Sequence, residues 1–497
     1  MSYLELLKLA APETSVVAAA LLALLVDLAW MRGLEMRLRF IVGAMIGCVG
    51  CLAAIVWMLI LPEHVNAFGG MLVADPLTQL VKICLLGLTI FTVLISVESN
   101  FTEHVGEYLA LILMSAVGMM FLVSAEDLLM IFVSLELTSL SLYILTAFNK
   151  HNAKSAEAAL KYFLFGGMSA AFTLFGMSLI YGLSGSTNLH QIAASLAGKG
   201  LDPLLVVAIV MTVIGFGFKV AAVPFHLWAP DAYEGAPTPS ASFIASGSKV
   251  ASFFIFAKVM MIGFAGKEIE GSGAYHALAV GWTPVLATVA ALSMILGNLV
   301  AIVQSSVKRL LAYSAIAHAG YMLVAVLSHH QQAVSSLIFY AVTYGLTTIG
   351  AFGVVAAVEN GVGDDKLSSF VGLSRRSPVI SFCMFIFMLS LAGIPPLAGF
   401  FGKFYIFTAA IQNGAANLGL LWLVILAIAM SAVSLYYYLQ VLKRIYVLDG
   451  GKEQTPIQVP FLLQAVLLVM AVLVILLGCF PNLLVDPLDA AISLAGF

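Results

Sequence analysis

The stretch Gly215–Lys249 reads GFGFKVAAVPFHLWAPDAYEGAPTPSASFIASGSK. An apolar run meets Lys219, breaks at Pro224, and takes up His226, Asp231 and Glu234. It then passes Pro230, Pro237 and Pro239 and resumes towards a second lysine, Lys249. In a water-soluble domain this would be a loop. The rest of the chain argues otherwise: of 497 residues, 62% are hydrophobic and 9% charged, and the mean hydropathy is +1.08. An ordinary soluble domain carries about 25% charged residues. Apolar runs of about 20 residues recur along the sequence, as membrane-spanning helices require. The stretch is therefore a membrane helix interrupted by proline, with ionisable groups on both sides of the break.

Outward from this stretch, the chain divides into fourteen spans joined by short connections. This predicts an all-α polytopic membrane protein whose function lies within or beside the bilayer. The run from Val16 to Trp30 ends at Arg32, Arg37 and Arg39 rather than at a cleavage site, and reads as an uncleaved first span. A net charge of -3 gives no case for nucleic acid. Cys48 and Cys51 form a CxxC without a second pair or a histidine beside it, so they read as small buried apolar residues rather than a redox or iron–sulfur site. There is no nucleotide-binding Gly-rich strand–helix unit and no metal-ligand cluster in the sequence, which argues against a self-contained redox enzyme.

Basic residues set the orientation. Loops after odd-numbered spans hold 13 Lys and Arg, including Arg32, Arg37, Arg39, Lys308, Arg309, Arg375 and Arg376, against three (Lys8, Lys199 and Lys267) elsewhere. The asymmetry puts both termini outside, in the periplasm of a bacterial inner membrane. The acidic loop from Glu98 to Glu107, without Lys or Arg, fits less well.

Six lysines remain inside or at the edge of the membrane: Lys82, Lys161, Lys219, Lys249, Lys258 and Lys403. An ionisable group at the bilayer centre costs about 2.5–3.5 kcal/mol, so such groups usually face a bundle interior or a wet cavity. Arginine is absent from this set, and only lysine loses its proton near neutral pH when buried, so the set suits a proton path. Snorkelling to an interface is the competing reading for Lys82 and Lys258. Glu136, in LLMIFVSLELTSLSLYIL, is the one acid read as deep in the membrane; Asp27 and Glu157 sit near span ends.

A second break lies in Leu389–Tyr405, LSLAGIPPLAGFFGKFY, where Pro395 and Pro396 stand among Gly393, Gly399 and Gly402, with Lys403 following. The lysine precedes the proline in the first break and follows it in the second. The breaks fall in the seventh and twelfth spans. Five is odd, so a five-span repeat over spans 4–8 and 9–13 is inverted, a recurring transporter plan in which interrupted helices line cavities. The units are then residues 1–104, 105–275, 276–450 and 451–497. Under the repeat, Glu136 matches the span of His318, in YSAIAHAGY, which reads either as a relay member or as a hydrogen-bonded packing histidine. His226 is a candidate cap beyond the first break, and His329 and His330 are loop residues.

At these residues the chain resembles a known family. KVAAVPFHLWAPDAYEGAPTPSASFIASGSK, KRLLAYSAIAHAGY and LSLAGIPPLAGFFGKFY are similar to segments of the antiporter-like membrane subunits of respiratory complex I. The resemblance runs from Val16 to Phe480. The wider family includes subunits of multisubunit cation/proton antiporters and membrane-bound hydrogenases. The Gly-Ser before Lys249, a lysine rather than a glutamate at 403, and a chain end soon after the fourteenth span favour one branch of the family, and the largest family member carries a long lateral helix beyond that point. The resemblance implies a proton-translocating module coupled to quinone reduction elsewhere, with flavin and iron–sulfur clusters in partner subunits and no cofactor of its own. It implies neighbouring antiporter-like and other membrane subunits, the lipid bilayer and internal water as partners. It places the proton-transfer residues at Glu136, Lys219, Lys249, Lys403 and Lys161. Glu136 and Lys219 would form an ion pair, with Lys249 relaying to Lys403. A sodium/proton antiporter subunit and a structural membrane scaffold are the competing readings.

Overall fold

Local signals start and stop the helices. Asp75, Asp127, Asn152, Asn188, Asp202 and Ser306 each accept a backbone N–H of the helix they precede, as N-caps do. Pro76, Pro203 and Pro378 take the first helical turn, where a missing N–H costs nothing. The computed structural model describes residues 3–60, 65–197, 200, 202–265, 281–328, 330–414, 419–449 and 456–495. Lys199, Lys267, His329 and Lys452 lie outside them.

The helices are α1 (Tyr3–Leu9), α2 (Ala11–Val26), α3 (Met36–Ile60), α4 (Pro76–Ser96), α5 (Val105–Ser124), α6 (Leu128–Thr146), α7 (Ala153–Ser184), α8 (Leu189–Leu196), α9 (Pro203–Lys219), α10 (Trp228–Gly235), α11 (Thr238–Ala245) and α12 (Gly247–Lys258). The series continues with α13 (Trp282–Ile302), α14 (Val307–Leu327), α15 (Gln331–Val362), α16 (Leu373–Arg376), α17 (Pro378–Ala392), α18 (Ala398–Gly414), α19 (Leu421–Tyr446), α20 (Phe461–Cys479) and α21 (Asn482–Ala495). A small hairpin, β1 (Val65–Ala67) and β2 (Leu72–Ala74), is the one sheet among the described residues. Twelve helices among those residues are long and apolar enough to cross a membrane, and Pro203–Lys219 and Pro378–Ala392 are shorter apolar helices. The two shorter ones are the first halves of the interrupted spans, continued by α10 and α18.

The repeat is visible in matched details. Both α7 and α15 have 32 residues, and each ends on a left-handed glycine, Gly185 and Gly363. An isolated antiparallel bridge precedes α6 (Asp127 with Asn188), and another precedes α14 (Ser306 with Lys366). Both breaks contain a cis X–Pro bond, Val223–Pro224 and Pro395–Pro396. At the axis of the bundle, α15 packs against α4, α11, α12, α14, α17, α18, α20 and α21.

Three expectations are corrected. The eighth span is also interrupted: α11 stops at Ala245 and Ser246 takes φ -120°, ψ -82° before α12 resumes. Arg39 and Lys308 are not loop residues but buried members of first helical turns. Lys82 and Lys258 do not snorkel. Lys82 is buried against Glu13 at 2.6 Å, and Lys258 against Glu126 at 2.9 Å. Glu13, Asp27 and Glu126 are therefore buried acids, whereas the span-centre Glu136 is only half-buried.

Candidate functional site

Glu136 lies mid-way along α6, and Ser139 follows one turn later on the same side. Lys219 is the last residue of α9, so the break that ends the helix leaves its ammonium at a helix C-terminus, where a cation is favoured. The two meet: Lys219 Nζ donates to Ser139 Oγ at 2.5 Å and lies 3.8 Å from Glu136 Oε1. Past Lys219 the chain turns through Ala221 at φ 58°. Here Ala222 N reaches back to Gly217 O at 2.8 Å, and Trp228 Nε1 donates to Phe218 O at 3.0 Å, which satisfies carbonyls freed by the break.

The second break builds the same arrangement by another route. Lys403 belongs to the half-helix after the prolines, but its side chain returns across the gap. Its Nζ donates to the last carbonyls of α17, Leu391 O and Ala392 O at 3.1 Å each, and to Ser431 Oγ at 2.9 Å. The reversed order of lysine and proline is thereby explained. In both halves an ammonium sits at the C-terminal end of the first half-helix. Gly393, at φ 86°, makes the return possible, because a Cβ there would stand 3.1 Å from Lys403 Cδ and 3.2 Å from its Nζ.

Between the two breaks lies a buried aromatic and histidine cluster. Lys249 Nζ donates to Ala315 O at 2.5 Å, one turn before His318 on α14, and lies over the Tyr344 ring. The His318 ring is 4.9 Å from that of Tyr344 and 5.6 Å from that of Tyr321, and Lys403 Nζ covers Tyr321 at 5.2 Å. Both imidazole nitrogens are engaged, Nδ1 with Tyr340 Oη at 2.7 Å and Nε2 with Tyr438 Oη at 3.1 Å. His318 thus stands between Lys249 and Lys403.

Lys161 is elsewhere. It is partly exposed near one end of α7 and bridges Glu157 at 2.7 Å and Asp231 at 2.8 Å. Arg309 joins Asp231 and Glu234, at 2.9 Å each, and Lys154 joins Glu234 at 3.2 Å. His226 is buried, but its ring does not cap α10; its carbonyl accepts from Ala229 N. Among the described residues no group of His, Cys, Asp and Glu could hold a metal ion.

Residues 125–431 match the family described as NADH:quinone oxidoreductase/Mrp antiporter, TM. NADH-quinone oxidoreductase subunit N 2 of Acidobacterium capsulatum is 53% identical over 97% of this chain and 98% of its own length. The chain belongs to this antiporter family. A chain in the structure of respiratory complex I from Thermus thermophilus with bound aureothin superposes with a TM-score of 0.78 at 33% identity, covering 97% of this chain and 100% of that one. A chain of the Mrp complex from Dietzia sp. shares the fold, with a TM-score of 0.80 at 20% identity over 98% of this chain and 97% of that one.

In this antiporter-family chain the sequence reading passed over several residues. Ser139, three residues after Glu136, was legible as a hydroxyl on the same helical face. Tyr340 and Tyr438 carried no signal among many apolar-run tyrosines. The cation partners of Glu126, Asp231 and Glu234 lie 64 to 132 residues away along the chain, and no local pattern announces them.

Proposed function

We propose that this chain is the proton-translocating membrane subunit of an NADH–quinone oxidoreductase, of the subunit N type, and that protons move through it by way of Glu136, Lys219, Lys249, His318 and Lys403. One observation carries the reading: a lysine buried at a helix break faces a carboxylate on the molecule's own exterior. Glu136 keeps 27% of its side-chain surface, against 9% for Lys219. It sits in an outward stripe of α6 with Leu129, Val133, Leu140 and Ile144, all exposed. A carboxylate in a lipid-facing stripe is unfavourable, so this face suits a neighbouring membrane subunit whose charges act on Glu136.

While Glu136 faces Lys219, the ammonium form is held. When a neighbour's charge draws Glu136 away, burial favours the neutral amine and the proton leaves sideways. Lys249 takes it and passes it through His318 and its tyrosines to Lys403, whose carbonyl partners at the α17 end stabilise its arrival. The matched helices of residues 105–275 and 276–450 act as two units, each with one break and one gated surface. Lys161, with Asp231 and Arg309, stands at the inner mouth of the first. The termini are periplasmic in a bacterial inner membrane, and flavin and iron–sulfur chemistry belongs to partner subunits.

The test is Lys219→Ala in the assembled complex. Loss of a proton-transfer group costs about 10²–10⁴-fold, so NADH-driven proton translocation should collapse while subunit composition is unchanged. Pumping at the parental stoichiometry would reject the reading.

A further inference from the structure

The inner face of the first unit holds a second polar feature that the Glu136–Lys219 pair does not use. A cavity of about 870 Å³ opens there, lined by residues 98–101, 149, 151–154, 234–239 and 359–360 among others. At its wall Glu359, near the end of α15, accepts from Lys308 Nζ at 2.9 Å. The Thr238 hydroxyl accepts from the same Nζ at 3.2 Å and donates to the other carboxylate oxygen of Glu359. Lys308 and Thr238 are buried, whereas the Glu359 side chain keeps 34% of its surface. The carboxylate therefore faces the cavity and its two partners lie beneath it.

Thr238 begins α11. From it Ser242, Ser246 and Lys249 follow at intervals of four, four and three residues, one per turn. All are buried. The run covers about 16 Å at 1.5 Å per residue, from the cavity wall to the relay lysine. The break at Ser246 lies on this line. There the backbone N–H bonds Phe243 O at 3.3 Å, and the Ser246 hydroxyl takes the Ser242 carbonyl at 2.6 Å in its place. The helix opposite is α15 throughout. It carries Glu359 at the mouth and Gly345 beside Ser246, where an added Cβ would stand 3.4 Å from Ser246 Cβ. At the far end Lys249 Nζ lies 5.8 Å from the centre of its Tyr344 ring.

We infer that Glu359, held by Lys308 and Thr238, takes up protons from the inner cavity and passes them along Thr238, Ser242 and Ser246 to Lys249, by a route separate from the Glu136–Lys219 pair. This rests on the proton-carrying role proposed above for the buried lysines. A proton from cavity water binds the Glu359 carboxylate and loosens its pairing with Lys308. It then moves through the hydroxyls and intervening water, each O–H giving up one proton as it gains another, and ends on the neutral amine of Lys249. Glu359 is left as a carboxylate and the hydroxyls are unchanged, so no other reactant is needed. Lys249 then has a second source of protons beside Lys219, and Glu136 governs the onward transfer of both.

The test uses the assembled complex in inverted membrane vesicles and reads the initial rate of NADH-driven proton uptake against quinone reduction. Glu359→Gln, which removes one of the two proton inputs to Lys249, should lower the ratio about twofold, and Glu359→Asp should restore it. Formate, a small weak acid that the open cavity admits, should raise the ratio in Glu359→Ala; an ion pair with a purely structural role would not respond. Ser246→Ala and Thr238→Val should each lower the ratio, and they decide the matter if Glu359→Gln does not assemble. Parental ratios in Ser246→Ala and in Glu359→Gln, or a loss that formate leaves untouched, would overturn the inference. If Lys219→Ala also pumps normally, the lysine relay itself fails. If Lys219→Ala is silent while the Glu359 and Ser246 variants pump normally, only the second route fails.

Discussion

Lys219 Nζ is closer to the Ser139 hydroxyl, at 2.5 Å, than to the Glu136 carboxylate, at 3.8 Å. The ion pair is a loose one, and the ammonium is also held by a neutral hydroxyl, itself donating to Leu135 O, that stays when the carboxylate moves. A switch needs such a pair, because a tight bidentate contact would resist a neighbour's field. Glu136→Gln should therefore keep the complex assembled and reduce pumping strongly, whereas Ser139→Ala should reduce it less, by about 5–13-fold, as for one hydrogen bond of 1–1.5 kcal/mol. Proton-to-electron ratios of the two variants check this, and equal effects would contradict it.

Lys403 depends on a glycine. Gly393 holds φ 86°, and a methyl group there would crowd the lysine side chain at 3.1 Å. Gly393→Ala should cost about 1–2 kcal/mol in backbone conformation and displace the ammonium from Leu391 O and Ala392 O. Lys403→Arg keeps a charge at the site but removes a group that can lose its proton. Both variants should assemble and pump poorly. Full pumping by Lys403→Arg would mean that charge alone suffices there.

Glu13 and Lys82 form a buried pair at 2.6 Å in the N-terminal helices, apart from both breaks. Breaking a buried pair from one side costs about 3–5 kcal/mol, while replacing both partners with apolar groups is often neutral. Lys82→Met alone should lower the amount of assembled complex. Lys82→Met with Glu13→Leu should recover it, with unchanged pumping per complex. Quantitative blotting of the membrane fraction reads the first effect and vesicle acidification the second.

His190, on the short helix α8, lies 3.5 Å from Glu126, which also pairs with Lys258. Burial would raise the Glu126 carboxyl, but His190 and Lys258 outweigh it and hold it down to about 2, so it stays charged at any physiological pH. The hydrogen bond to Glu126 raises His190 above its ordinary 6.5. A raised value means that the contact contributes fully below 6.5 and is lost as pH climbs through the higher folded value. The protection of α8 amides against hydrogen exchange, taken relative to the intrinsic rate at each pH, should therefore fall as pH rises above 6.5, and in His190→Asn this fall should vanish. Protection that does not change with pH in the parent would refute the assignment.

What the sequence determined by itself is local. Span positions follow from runs of apolar residues, the breaks from Pro224, Pro395 and Pro396, and the candidate carriers from lysines placed where lipid would otherwise exclude them. The motifs around Lys219, His318 and Lys403 carried the family. Tertiary structure alone decided which groups meet: Glu13 with Lys82, Glu126 with Lys258, Glu359 with Lys308, and His318 with Tyr340 and Tyr438. It also decided that the eighth span breaks at Ser246, where no proline marks it. The physical reason is rotational. Helices such as α6, α14 and α15 are apolar nearly all round, so their sequences carry almost no amphipathic phase. Without that phase, the face each helix turns to its neighbour is set by close packing of the whole bundle, and pairing across helices follows from that packing rather than from spacing along the chain.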